Sequence, residues 1–464
     1  MSAVKVAVEA LEKLKPVLAK PNPSRAARWV EAELNAHAGF AYLRSGRPEE
    51  AIEAYRRSRV ITKAAGALEL AFLPATAGYV TTGWQLGEAL ATLDKNDEAK
   101  GVLDETIALA DKLIAVRPGH RRALAAKSTA YAQLASIESN RLQVAAALRY
   151  SRESQRVQQE LISLDPGNTG SQNNLRVGHY KIAVNLYSLG RVAEALQQYL
   201  RSLELGKDER VTGFSAQNLV NRHAGMATLA AGTGDMSRAK LDLAAAERYF
   251  AVLKAANASP PGRSGARARI ENARGEIARM TGGDLKAART AIENSIAERA
   301  GVFGDKVDVG AAAFFGVQHA AAAELSYGLA EHATAESHLR KGLTYYQRND
   351  SPSLAGQASI NNTRILLAIV LARQGKFDEA SNMVAPALAY YRLPVMQKSD
   401  DETLKLFHSR ALFAAALAHS PNPAEKTRLL AEAAQRFDAA PVALKRLKNF
   451  AMVREDIARE MGKR

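Results

Sequence analysis

Ala36–Ser58, AHAGFAYLRSGRPEEAIEAYRRS, decides the fold. It reads as a helix, a tight turn at Ser45-Gly46-Arg47, and a second helix whose small and aromatic residues face back toward the first. Gly39 and Ala51 sit where two helix backbones approach closely, and Tyr42 and Tyr55 fill the space beside them. The turn and the start of the second helix recur as G-x-x-x-x-A. The copies are Gly46 to Ala51, Gly190 to Ala195, Gly234 to Ala239, Gly282 to Ala287 and Gly375 to Ala380. Weaker copies that lack the glycine run from Lys95 to Ala99 and from Glu331 to Ala335. Glycine ends the first helix in a left-handed cap, which a residue without Cβ adopts at little cost. Four residues beyond the alanine comes a bulky side chain (Tyr55, Leu103, Tyr199, Leu243, Leu339), and that spacing puts both on one helix face.

These features resemble the tetratricopeptide repeat family. Gly39, Tyr42, Gly46, Ala51 and Tyr55 match its pattern in the first copy, and Leu86-Gly87, Leu90 and Ala99 in the second. Ile182-Ala183, Leu186, Gly190, Ala195 and Tyr199 match in the fourth, and Leu367-Ala368, Leu371, Gly375 and Ala380 in the eighth. Successive alanines at 51, 99, about 146, 195, 239, 287, 335 and 380 give a period of about 44–49 residues, longer than the roughly 34 usual for the family. The resemblance therefore implies an all-α solenoid, a right-handed superhelix, of about nine hairpins with lengthened helices. HEAT and armadillo repeats share the longer period but lack this turn grammar.

Composition supports the all-α reading. Of 464 residues 47% are hydrophobic, with alanine prominent, while aromatics are only 6%. Alanine has the highest helix propensity, and the alternation that strands need is scarce. There are no cysteines, which excludes disulfides, thiolate metal sites and cysteine nucleophiles. The nine histidines form no H-E-x-x-H and no i, i+4 pair. Neither a phosphate-binding glycine loop nor a G-x-S-x-G elbow occurs. The pairs Asp97/Glu98 and Asp378/Glu379 sit just after turns, where a helix N-terminus favours them. The expectation is a chain that is not an enzyme and carries no cofactor or metal.

The N-terminal MSAVKVAVEALEKLKPVLAKP places Glu9 and Glu12 inside its apolar stretch, unlike a signal peptide. No run of about 18 apolar residues could span a membrane, so a cytoplasmic location is expected. The net charge of +15 is spread along the chain. Spread charge suits solvation of helices better than a dedicated nucleic-acid face, so nucleic acid is the less favoured partner.

Four segments are expected: an N-terminal capping helix in 1–30, a sub-array in 31–255, a second in 256–440 and a basic C-terminal capping helix in 441–464. The loop at Pro260-Pro261 is the candidate hinge between sub-arrays. In this family the first helix of each hairpin lines the inner wall. The resemblance then marks Phe40 and Arg44, Trp84 and Glu88, Tyr180 and Tyr187, and Asn362 and Arg373 as candidate partner-binding residues. Ser171-x-x-Asn174 and Ser215-x-x-Asn218 add Asn174 and Asn218, either as amides for a peptide backbone or as first-turn residues behind serine N-caps. A clamp for a C-terminal carboxylate is not visible, since its positions hold Tyr180, Val184 and Gly225. The function expected is a non-catalytic scaffold or sensor that binds a protein or peptide of acidic character in its groove. The alternative is the regulatory array of a bacterial signalling protein, with RNA binding a third. The sequence leaves the oligomeric state open.

Overall fold

The hairpins are present, and their helices are long. In the computed structural model, which describes residues 3–205, 211, 213–304, 307, 309–347 and 353–462, every regular element is an α-helix. After α1 (Ala3–Leu18), nine hairpins follow one another among the described residues. They are α2 (Arg25–Arg44) with α3 (Pro48–Ala64), α4 (Leu73–Thr92) with α5 (Asn96–Val116), and α6 (Arg121–Asn140) with α7 (Val144–Leu164). Next come α8 (Thr169–Ser188) with α9 (Val192–Glu204), α10 (Gly213–Thr233) with α11 (Met236–Ala255), and α12 (Pro260–Thr281) with α13 (Leu285–Phe303). The last three are α14 (Val309–Gly328) with α15 (His332–Gln347), α16 (Leu354–Arg373) with α17 (Phe377–Arg392), and α19 (Thr403–Ala418) with α20 (Pro423–Asp438). One short helix, α18 (Pro394–Gln397), precedes the ninth hairpin, and α21 (Val442–Lys445) and α22 (Lys448–Gly462) follow it. We call the first helix of each hairpin its A helix.

The turn within the hairpin is the repeated unit. Gly46, Gly190, Gly234, Gly282 and Gly375 all have φ between +68° and +90°. Behind each, the next N–H reaches back to a carbonyl five residues earlier: Arg47 to Tyr42, Arg191 to Leu186, Asp235 to Ala230, Gly283 to Ala278, Lys376 to Leu371. This is the Schellman closure of a helix end. The copies without glycine make the same turn. Asp94 and Ala330 stand at the glycine position with φ of 57° and 59°, and Lys95 and Glu331 make the same backward bonds to Leu90 and Ser326. Leu142 takes φ 59° in the third copy, which fixes that copy's alanine as the fully buried Ala147.

The sixth copy departs from the expected frame. Gly283 adds a residue to the turn before Asp284 caps α13, so the fully packed alanine is Ala288 and not Ala287, which is exposed. Ile292 then takes the place of Tyr55, four residues on, and is fully buried.

The described chain divides into two compact units, residues 1–141 with 145–182, and residues 142–144 with 183–464. In the first, Tyr55, Leu86, Leu90, Leu103 and Leu134 form a core, and α1 packs against α2. In the second, the run Ile365–Leu371 of α16 is buried among Leu339, Val384, Leu412 and Leu429. Residues 255–261 lie inside this second unit. Pro260 and Pro261 open α12, with the Ser259 hydroxyl accepting from the Gly262 N–H, a position where the missing proline N–H costs nothing.

The second unit also closes on itself. The N–H of Glu402 donates to the Ser188 carbonyl at 2.8 Å, the Ser399 hydroxyl donates to the Leu142 carbonyl at 2.6 Å, and the Val144 N–H donates to Asp400 Oδ1 at 2.6 Å. The segment before the ninth hairpin thus meets the end of α8 and residues 142–144. The expected single helix over 441–464 is instead α21 and α22. Leu447 bonds back to the Leu444 carbonyl between them, and both leucines are buried. The sequence also places helix breaks at 206–212, 301–310 and 349–353, of which residues 206–210, 212, 305–306, 308 and 349–352 lie outside the described residues. No helix among the described residues is long and apolar enough to cross a membrane.

Two consequences can be measured. A left-handed conformation costs a non-glycine residue about 1–2 kcal/mol, and glycine returns about 0.4–1 kcal/mol of unfolded-state entropy. Exposed Ala330 loses no packing when shortened, so Ala330→Gly should stabilise the chain by about 0.5–1 kcal/mol in denaturant unfolding. The second concerns acid. Burial, then the neighbouring His338 and Lys341, push His319 down to about 4; burial, then Arg436 and Arg392, do the same to His408. Both imidazoles stay neutral in the folded chain, while the unfolded chain protonates them near its ordinary pKa of about 6.5. Their contribution to stability is complete above about pH 6.5 and is lost as pH falls toward 4. The thermal midpoint should drop through that window, and His319→Gln with His408→Gln should flatten the slope.

Candidate binding faces on the A helices

In the first unit the A helices bring three expected residues together. Phe40 is 42% exposed on α2, with the Arg44 guanidinium 5.0 Å from its ring centre one helical turn on. Arg44 also reaches Glu88 of α4 at 3.8 Å. The guanidinium thus covers an exposed aromatic ring and ties it to the next hairpin. Trp84 differs, because it is half-buried between two core clusters and serves packing. Asn174 is exposed on α8 and borders a cavity of about 190 Å³ with Ser128, Ser154, Gln158 and Lys181. Its helix is capped by Asn168, whose Oδ1 accepts from the Ser171 N–H at 2.9 Å, so Ser171 is not the N-cap. Tyr180 is half-buried on the same helix.

In the second unit the A helices face α22. Two cavities of about 530 and 320 Å³ lie between them and share Tyr187, Glu276 and Asn449. Burial pushes the Tyr187 hydroxyl up to about 12. The larger cavity carries a chain of charges: Glu276 to Arg279 at 2.8 Å, Arg279 to Glu324 at 3.3 Å, Glu324 to Arg410 at 2.9 Å. Burial alone would raise Glu324, yet the guanidinium groups of Arg410 and Arg279 hold it down to about 2. The remaining expected residues of this unit serve internal contacts. Arg373 donates to Glu460 of α22 at 2.8 Å, and Asn362 accepts from the buried Tyr391 hydroxyl at 2.8 Å. Asn218 is half-buried on α10.

Sequence reasoning missed Arg279, Glu324 and Arg410; Glu324 stands as an isolated charge in the alanine-rich α14, whereas Arg279 lies in an α12 dense with charge. For Glu324 that isolation is the signal: a lone charge in an apolar run needs a partner, and it finds Arg279 and Arg410 on two other A helices. Among the described residues no group of three His, Asp or Glu side chains could hold a metal ion.

No family model matches the sequence, and no curated protein matches it. Several solved structures are similar to the chain. A human IFIT1 dimer with PPP-AAAA is 12% identical, over 98% of this chain and 85% of that one, with a TM-score of 0.45. A Rap protein complexed with competence and sporulation factor is 11% identical, over 83% and 99%, with a TM-score of 0.44. The Cut9–Hcn1 hetero-tetramer of the APC/C is 12% identical, over 97% and 92%, with a TM-score of 0.38. Such values say nothing about ligands. The chain's own successive hairpins, their shared left-handed turn and the alanine packed behind it give it a tetratricopeptide-like repeat fold.

Proposed function

We propose that the protein is a binding scaffold that takes a partner protein or peptide of acidic character along the A-helix face of its first unit. The observation that carries this reading is the exposed Phe40–Arg44 pair with Glu88 beside it. Leaving a large apolar ring in water forfeits burial worth about 1.5–3 kcal/mol. Nothing in the hairpin requires it, since the neighbouring core is filled by Tyr42 and Tyr55. Binding interfaces draw most of their energy from a few aromatic and arginine anchors of this kind. The excess of 63 basic over 48 acidic residues supports an acidic partner, and repulsion of basic ones would sharpen the choice.

The test is an array of acidic, neutral and basic peptides probed with the full chain and with Phe40→Ala plus Arg44→Glu. The double variant should keep its stability within about 0.5 kcal/mol, because both side chains are at the surface. It should lose at least tenfold in affinity for the acidic peptides that the unaltered chain selects. Peptides held equally by both proteins would remove this face from consideration. Binding of oligo(A) with a steep salt dependence, and of no peptide, would transfer the function to single-stranded RNA.

A further inference from the structure

The third hairpin departs from the packing that its neighbours use. Four residues beyond the packed alanine, other copies place Tyr55, Leu103, Ile292 or Leu339, each fully buried. Beyond Ala147 that position is Ser151. The same face of α7 continues with Ser154, Gln155 and Gln158, which border one cleft with Ser128 of α6 and with Asn174, Gly178 and Lys181 of α8. At helical spacing, α7 and α8 thus present polar or bare stripes where the repeat elsewhere presents apolar ones. The cleft between them is half-open and measures about 190 Å³. Gly178 keeps its wall clear, since a Cβ there would meet nothing within 4 Å.

The polar groups of the cleft are only partly satisfied by one another. Ser154 Oγ donates to the Ser128 carbonyl at 2.8 Å, and Ser128 Oγ lies 3.1 Å from the Ser154 carbonyl and 3.2 Å from Gln158 Oε1. Each hydroxyl has one proton to give, so both oxygens keep the capacity to accept from a ligand. Gln158 is 4% exposed, and its Nε2 has no hydrogen-bond partner. A buried donor left without an acceptor is costly, and this one borders open space. Lys181 adds a charge. Its Nζ donates to Ser136 Oγ at 3.3 Å, and among the described residues it pairs with no carboxylate. Its side chain keeps contact with water, yet desolvation by the surrounding helices holds its ammonium below the ordinary lysine value. No carboxylate lines the cleft, so a ligand ammonium would find no counter-charge there.

We propose that this cleft is a binding site for a small hydroxycarboxylate. The ligand sets its carboxylate against Lys181, gives an acceptor oxygen to Gln158 Nε2, and donates from its hydroxyls to Ser128 and Ser154. Size limits the class. An apolar cavity of about 150 Å³ holds benzene, so this cleft admits about seven or eight non-hydrogen atoms. The site does not involve the Phe40–Arg44 face and does not rest on its reading.

The test is calorimetric titration of the full chain with both enantiomers of glycerate. One enantiomer or both should bind, roughly tenfold or more tightly than glycerol, which lacks the charge, or free serine, whose ammonium meets no acid. Inorganic phosphate should also bind more weakly, because a single cation faces it. Any of these three bound as tightly as glycerate would overturn the assignment, as would the absence of binding by either enantiomer at millimolar concentration. Lys181→Met keeps the stem and removes the charge, and should weaken glycerate roughly tenfold. Its thermal midpoint should match that of the unaltered chain without ligand and lose the rise that glycerate brings. Gly178→Leu should fill the cleft and abolish binding. Glycine is a poor helix former, so this variant should melt higher than the unaltered chain, which separates lost binding from lost folding. Undiminished glycerate affinity in both variants would place the ligand elsewhere and end the proposal.

Discussion

The ring of Tyr55 rests on bare backbone at Gly39, and the rest of the array depends on contacts of that form. A Cβ at Gly39 would stand 2.7 Å from the ring, one at Gly87 would stand 2.6 Å from Leu103, and one at Gly275 would stand 3.1 Å from Ile292. In these three hairpins a bulky residue of the second helix enters a gap left by a missing side chain on the A helix. Alanine one turn earlier, at 51, 99 and 288, lets the second helix come close enough to do so. Close approach of this kind fixes the hairpin angle, and the hairpin angle fixes which residues of the A helix remain exposed. Phe40 and Arg44 are exposed because Gly39 and Tyr42 are turned inward.

Most of this packing could be read from the chain. Gly46 and Ala51 are adjacent enough in sequence to reveal a turn and a contact together, and the same pair recurs with regular spacing. Even copies without the glycine kept the frame, since Asp94 and Ala330 take the left-handed turn and Lys95 and Glu331 close it with the same backward bonds. Where the reading slipped by one residue, at Ala288, the cause was one inserted glycine that the pattern tolerates. Closure of the second unit left no such trace. The bonds from Glu402 to Ser188 and from Ser399 to Leu142 join residues more than 200 positions apart, through a backbone carbonyl that any residue supplies. The seat of α22 is equally silent in sequence, because Arg373 on α16 looks like a solvated charge until Glu460 is placed beside it.

Charge is used differently on the two sets of A helices. In the first unit Arg44 lies 60% exposed beside Glu88, a pair that water screens and that contributes little to stability. In the second, Arg279, Glu324 and Arg410 are largely removed from water and satisfy one another. A buried chain of this kind is seldom more stabilising than an apolar one, but it penalises any arrangement that separates its members. It therefore fixes the relative positions of α12, α14 and α19 more strictly than leucines would.

Closure also changes how the second unit stores its stability. In an open array each hairpin leans only on its neighbours, ends fray, and the free energy accumulates repeat by repeat. Where Ser399, Asp400 and Glu402 are bonded to Leu142, Val144 and Ser188, the segment before the ninth hairpin leans on the end of α8 as well as on its neighbours in sequence. Removing a hairpin between α8 and α19 breaks an interface on both sides and displaces the partners of the closing bonds as well. Such a unit melts in a single cooperative step, and its repeats cannot be added or deleted one at a time as those of an open array can.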